Sequence, residues 1–122
     1  MIKKTLMVLS LAFAVTLGSF GVFQGELALA DEEAVNLGKK VALNRQKGNC
    51  LSCHMMDDGN QPGTQGPPLI AMKLRFPDRE NLRARIYNPL EFNPNTIMPP
   101  FGLHNILTDE EIDAIVEYLY TL

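Results

Sequence analysis

Five consecutive residues carry most of the chemistry available to this chain. Cys50-Leu51-Ser52-Cys53-His54 places two thiols about one helical turn apart, with an imidazole directly after the second. That is the C-x-x-C-H spacing for covalent attachment of haem c. Two thiols so spaced can add to the two vinyl groups along one edge of the porphyrin. His54 then lies under the iron as proximal ligand. Three other readings compete. A thioredoxin-like redox pair requires a strand-helix-strand context, and no strand pattern precedes Cys50. Zinc wants four ligands, and only His54 and His104 could join the two cysteines, at a spacing that fits no familiar finger. A plain structural disulfide is the third.

A haem iron needs a sixth ligand or an open site. The candidates are Met55, Met56, Met72, Met98 and His104. Met55 and Met56 follow the proximal histidine directly and cannot reach the opposite face. Met72 lies past a turn-rich loop and can be ordinary packing. His104 reads as a surface residue just ahead of the last helix. Met98 sits in Ile97-Met98-Pro99-Pro100, where the prolines stiffen the loop and can hold a thioether over the far face. Met98 is therefore the expected second axial ligand.

These residues must be positioned by helices, because the pattern is all-α. Residues 32–47 read as a helix stopped by Gly48. Residues 59–68 hold Gly59, Gly63, Gly66, Pro62, Pro67 and Pro68, and form a loop. Asp78 caps a helix over residues 79–87, with Leu82 and Ile86 one turn apart and Asn88-Pro89 ending it. Residues 92–101 contain Pro94, Pro99 and Pro100 and must be extended or looped. Thr108-Asp109-Glu110-Glu111 is a capping box for the last helix, whose Ile112, Ile115, Val116 and Leu119 share one apolar face.

The chain has 122 residues, 11 Lys+Arg and 14 Asp+Glu, so it holds one small domain and offers no electrostatic case for nucleic acid. Residues 1–30 read as a secretory signal. Lys3 and Lys4 precede an apolar run over residues 6–23, and Ala28-Leu29-Ala30 is a small-x-small cleavage site. Cleavage leaves a domain of residues 31–122, placed in the periplasm with no stable membrane association. The alternative is an uncleaved anchor, since the apolar run nearly reaches spanning length. Without Lys3, Lys4 and Glu26 the net charge of −3 becomes one unit more negative. A domain this small is marginal on its apolar core alone, and a bound group would supply what is missing.

The order of Cys50 to His54, Gly66-Pro67-Pro68-Leu69, Met98-Pro99 and a short terminal helix resembles the class I cytochromes c. The resemblance implies that the Pro67 carbonyl accepts the N–H of His54, that Leu69 packs on the haem, and that Gly38 and Tyr118 mark the crossing of the terminal helices. Over residues 47–122 the chain is similar, more narrowly, to the SoxX family. The segments that carry this likeness include Arg75-Phe76-Pro77-Asp78-Arg79, Met98-Pro99-Pro100-Phe101-Gly102 and Val116-Glu117-Tyr118-Leu119-Tyr120. SoxX is the monohaem subunit of SoxAX, an L-cysteine S-thiosulfotransferase that oxidatively joins thiosulfate to a cysteine of the SoxYZ carrier. The resemblance implies a heterodimer with a SoxA-type haem subunit, where the sulfur chemistry is assigned. It further implies transient contact with SoxYZ and electron relay to a downstream cytochrome. No catalytic residue is expected here, because two thioether-bound cysteines leave no free thiol to hold a sulfur intermediate. A free periplasmic electron shuttle is the alternative.

Lys73, Arg75, Arg79, Arg83 and Arg85 form a basic segment in a net acidic chain. It reads either as a docking face for an acidic partner or as a solvated helix face with one arginine near the haem propionates.

Overall fold

The structure is a computed structural model that describes residues 21–56 and 59–122, with side chains described from Asp31 onward. Of the leader read over residues 1–30, residues 1–20 lie outside the described residues, and residues 21–30 fall in the first helix. Four helices follow in order: α1 (Gly21–Leu43), α2 (Met72–Arg75), α3 (Arg79–Tyr87) and α4 (Asp109–Leu119). Single 3₁₀ turns sit at Cys50–Ser52 and Pro89–Glu91. No strand occurs among the described residues, in keeping with the all-α expectation. None of the described helices is long and apolar enough to cross a membrane.

The frame is the crossing of α1 and α4. A Cβ built on Gly38 would lie 1.9 Å from the Ala114 carbonyl oxygen, so only glycine lets the two backbones approach this closely. Val41 and Ala42 of α1 are buried at this crossing's end of the core, with Ile112, Ile115, Val116, Tyr118 and Leu119 of α4. The predicted apolar stripe of α4 is thus its buried face, and Gly38 and Tyr118 both belong to the α1–α4 half. Leu82 and Ile86 of α3, with Phe101, Leu107, Met56 and Met72, complete the core.

Local chemistry sets the ends of α3 and α4. Asp78 Oδ1 accepts the Glu80 N–H at 3.0 Å. Thr108 Oγ1 accepts the Glu111 N–H at 3.2 Å, while Glu111 Oε2 accepts the Thr108 N–H at 3.1 Å. Lys47 Nζ donates to the other oxygen of Glu111, tying the chain beyond α1 to the start of α4. That bond, first among the causes, holds the Glu111 carboxyl below its usual 4.5.

The end of α1 corrects the sequence expectation. The helix stops at Leu43, not at Lys47. Asn44 Oδ1 takes the Gln46 N–H at 2.8 Å, a side-chain turn that competes with helix continuation. Gly48 does not stop the helix directly. It closes the following turn by donating its N–H to the Val41 carbonyl at 3.2 Å. The sequence reading also passed over α2, which begins after Ala71 in the left-handed region at φ 49°. Alanine there gives no local signal, since glycine or asparagine is the usual occupant.

The basic segment divides. Arg79 and Arg83 lie one turn apart on α3 and face Asp109, Asp113 and Glu117, spaced by four along α4. Arg79 Nε reaches Glu117 at 2.8 Å and its Nη2 reaches Asp113 at 3.2 Å. Arg83 Nε reaches Asp113 at 2.9 Å and its Nη2 reaches Asp109 at 2.5 Å. These hydrogen bonds raise both guanidinium pKa values further above an already high range. Exposed pairs of this kind contribute at most about 1 kcal/mol each. Their geometry aligns α3 along α4.

Candidate cofactor site

Asn49, in the left-handed region at φ 47°, turns the chain into the 3₁₀ turn that begins at Cys50. The Cys53 and His54 N–H groups both converge on the Cys50 carbonyl, at 3.2 and 2.9 Å. Ser52 Oγ donates to the Asn49 carbonyl at 2.7 Å. The five-residue motif is therefore a wound turn with both thiols and the imidazole in its wall.

The Gly/Pro loop wraps this turn closely. Gly63 donates its N–H to the Leu51 carbonyl at 2.8 Å, Gly66 to the Cys53 carbonyl at 2.8 Å, and Leu69 to the Met55 carbonyl at 2.9 Å. His54 Nδ1 lies 2.7 Å from the Pro67 carbonyl oxygen. A carbonyl can only accept, so Nδ1 carries the proton and Nε2 keeps a lone pair for a metal. A Cβ on Gly66 would lie 2.4 Å from Cε1 of that ring, so the loop backbone rests against the imidazole. Sequence reading placed Gly66 in a motif but missed this contact. The bare spacing of the motif gives no signal of it.

Cys50, Cys53, His54, Pro67, Leu69 and Met98 all line one cavity of about 880 Å³. That volume is at the upper end of the range for cofactor and ligand pockets. Leu82 and Ile86 of α3 and Ile115 and Leu119 of α4 supply apolar wall. Met98 is half-buried, and its N–H is held by Thr96 Oγ1 at 3.1 Å. Met72 also reaches the cavity but is fully buried, with its sulfur 3.7 Å from Arg75 Nη1. Met55 and Met56 do not line it, and His104 is exposed and away from it.

Burial, the largest cause, pushes the Cys50 thiol up to about 11. Such a thiol is neutral at physiological pH, unlike the low-pKa nucleophile of a thioredoxin-like pair. The donor set fits haem c: two thiols one turn apart, an imidazole with Nε2 unencumbered, a thioether in the same cavity, and an apolar wall.

A helical chain that wraps a C-x-x-C-H turn around a cavity of this size defines a c-type cytochrome, an electron-transfer protein. Residues 35–119 match the family described as cytochrome c oxidase, cbb3-type, subunit III, and the chain belongs to that family. Membership implies haem c. The chain is similar to the c-type cytochrome SorU from Sinorhizobium meliloti. The two are 32% identical, with a TM-score of 0.53 and coverage of 74% of this chain and 91% of that one. It is also 41% identical over 96 residues to an uncharacterized lipoprotein of Aquifex aeolicus (strain VF5). That match covers 77% of this chain and 46% of the relative, so the chain spans about half the length of the curated relative it matches.

Proposed function

We propose that this chain is a periplasmic monohaem cytochrome c and the electron-relay subunit of a SoxAX-type complex. The observation that carries the haem reading is the 2.7 Å approach of His54 Nδ1 to the Pro67 carbonyl, with both thiols and Met98 on the same cavity. Cys50 and Cys53 would hold the group through thioethers, and His54 Nε2 and Met98 Sδ would ligate its iron. Met72 is the weaker candidate because its sulfur already faces the Arg75 guanidinium. Haem c supplies a one-electron iron couple when bound. The chain's own residues do the rest. Pro67 fixes the imidazole tautomer. Leu69, Leu82 and Ile115 give the cavity an apolar wall, which together with His/Met ligation would favour a raised potential.

The SoxAX assignment rests on the likeness to SoxX over residues 47–122. Joining thiosulfate to a cysteine thiol releases two electrons, and a single haem accepts one. The proposed role therefore requires a second redox centre, as a SoxA-type subunit would provide, or two successive transfers. The periplasmic assignment rests on the leader pattern of residues 1–30, and the Aquifex relative, a lipoprotein by name, is in accord with it.

The test is the mass and haem count of the native assembly, purified through a tag on this chain from the periplasm of thiosulfate-grown cells. A stable complex with a second haem-bearing subunit is expected. A lone monohaem protein would replace the SoxAX reading with a free electron shuttle.

A further inference from the structure

Met98 lies in a segment without helix, residues 92–108, and its thioether can be held in place only as firmly as that segment is tied down. Most of the segment's hydrogen bonds are local. Phe92 and Asn93 donate their N–H groups to the Pro89 carbonyl at 3.1 and 3.0 Å. The Thr96 N–H donates to the Asn93 carbonyl at 3.1 Å, and Thr96 Oγ1 accepts the Met98 N–H at 3.1 Å. Among the described residues, only two hydrogen bonds tie residues 92–107 to a helix. The Gly102 and Leu103 N–H groups both donate to the Tyr87 carbonyl, at 3.1 and 3.2 Å.

Helix chemistry explains why the tie is made there. Tyr87 is the last residue of α3, and the final carbonyls of a helix have no partner within it. Its carbonyl can therefore take two donors from a distant part of the chain. The side chain matches the backbone. A Cβ built on Gly102 would lie 1.9 Å from Tyr87 Cδ2 and 2.3 Å from Cε2, so the ring fills the space that any side chain at this position would need. Gly102 is buried and its φ is not positive, so space and not backbone conformation demands glycine. The ring is steadied from α4 as well. The Arg83 guanidinium lies 5.7 Å from its centre and pairs with Asp109 and Asp113. The link from this neck to Met98 is short and stiff. Pro99 and Pro100 stand between Met98 and Phe101, each with a fixed φ, and Pro100 and Phe101 are buried. Met98 lines the cavity, whereas Tyr87 and Gly102 do not.

We propose that Tyr87 and Gly102 are positioning residues for Met98: they close the neck of the loop over residues 88–101 and so hold the thioether at the cavity as a ligand. The proposal rests on the haem reading above and adds the residues that set how much of the time the sixth position is closed. Loops of this kind open and close in a local equilibrium. A small molecule that competes with Met98 binds only the open form, so its apparent affinity follows the open fraction.

The experiment uses ferric holoprotein and two readouts, the thioether–iron charge-transfer absorption band and the dissociation constant of added imidazole. Gly102→Ala should weaken the band and tighten imidazole binding about tenfold, because overpacking at the neck favours the open loop. Tyr87→Leu keeps the backbone carbonyl but loses the ring, and should move both readouts in the same direction. Tyr87→Phe should match the unaltered chain, since the contact is made by ring carbons. Gly38→Ala should leave band and affinity in place, because its damage lies at the helix crossing. In a Met98→Ala background, Gly102→Ala should no longer change imidazole affinity, because no thioether remains to be displaced. Unshifted readouts in Gly102→Ala and Tyr87→Leu would overturn the proposal, as would an equal shift in Gly38→Ala. A tenfold effect that persists without Met98 would overturn it also and assign the pair to cavity access. If Gly102→Ala fails to take up haem, Tyr87→Leu decides by the same criteria. Met98→Ala separates the two levels. If it alters neither band nor imidazole binding, Met98 is not a ligand and the ligation reading falls with the proposal. If it alters both while Gly102→Ala and Tyr87→Leu do not, the proposal alone falls.

Discussion

The half of the molecule built from α1 and α4 and the half built from the loops around the cavity are held together by different means. In the first, Gly38 lets two helix backbones touch, and Val41, Ile112, Ile115 and Val116 are buried beside the crossing. In the second, residues 48–56, 59–69 and 88–107 are joined by backbone hydrogen bonds, such as Gly63 to Leu51 and Gly102 to Tyr87, around an 880 Å³ space. The helical half is held by the protein's own side chains, and Ile115 and Leu119 of α4 also reach the cavity. The loop half lines a cavity, and a bound haem would complete its interior.

Three variants break or sharpen that contrast. The largest effect is expected from changing Cys50 and Cys53 together to Ala. Covalent haem is lost, and with it cooperative folding of the loop half, because metal and cofactor binding energy is folding energy in a domain of this size. Near-ultraviolet circular dichroism and haem staining read this. A double variant with native tertiary signal and unchanged melting would mean that the loop half stands alone. Next comes Gly38→Ala, which directs a methyl group into the Ala114 carbonyl and forces the helices apart. A loss of about 3 kcal/mol in denaturant titration is expected, the upper part of the usual overpacking range. A neutral result would show that the crossing yields.

The smallest effect is expected for Glu111→Gln, at the seam where Lys47 meets the α4 cap. The Glu111 carboxyl is held below 4.5 in the fold. Its contribution is therefore present above the unfolded value and is lost as pH falls through the lower, folded value. The variant should be less stable than the unaltered chain by about 1 kcal/mol or less at pH 7. The gap should close in acid, below about pH 4. A gap that persists at low pH would assign the effect to cap geometry and not to charge.

Legibility in the sequence followed how local the determining chemistry is. The bounds of α3 and the cap of α4 were readable because Asp78, Thr108 and Glu111 bond within three residues of themselves. The buried faces of both helices were readable from apolar spacing. The end of α1 was misplaced because Asn44 bonds to Gln46 in preference to extending the helix. The start of α2 was hidden by an alanine in an unusual conformation. The motif residues Cys50, Cys53, His54, Pro67, Leu69 and Met98 were named from spacing and resemblance, and the fold gathers them around one cavity. Gly66 against the imidazole was missed as a contact, because it exists only once a distant loop has folded back. The pairing of Arg79 and Arg83 with Asp109, Asp113 and Glu117 was equally out of reach, since it depends on where α4 lies.

One connection joins the two halves from behind. The Tyr120 hydroxyl donates to the Phe76 carbonyl at 2.8 Å, and the Met72 N–H donates to the Leu122 carbonyl at 3.2 Å. Residues 120–122 therefore act as a fastener between the end of α4 and the segment that carries Met72, Arg75 and Phe76. A shift of α4 along its axis would pull on the Phe76 carbonyl and the Met72 N–H, the two backbone groups that residues 120–122 hold.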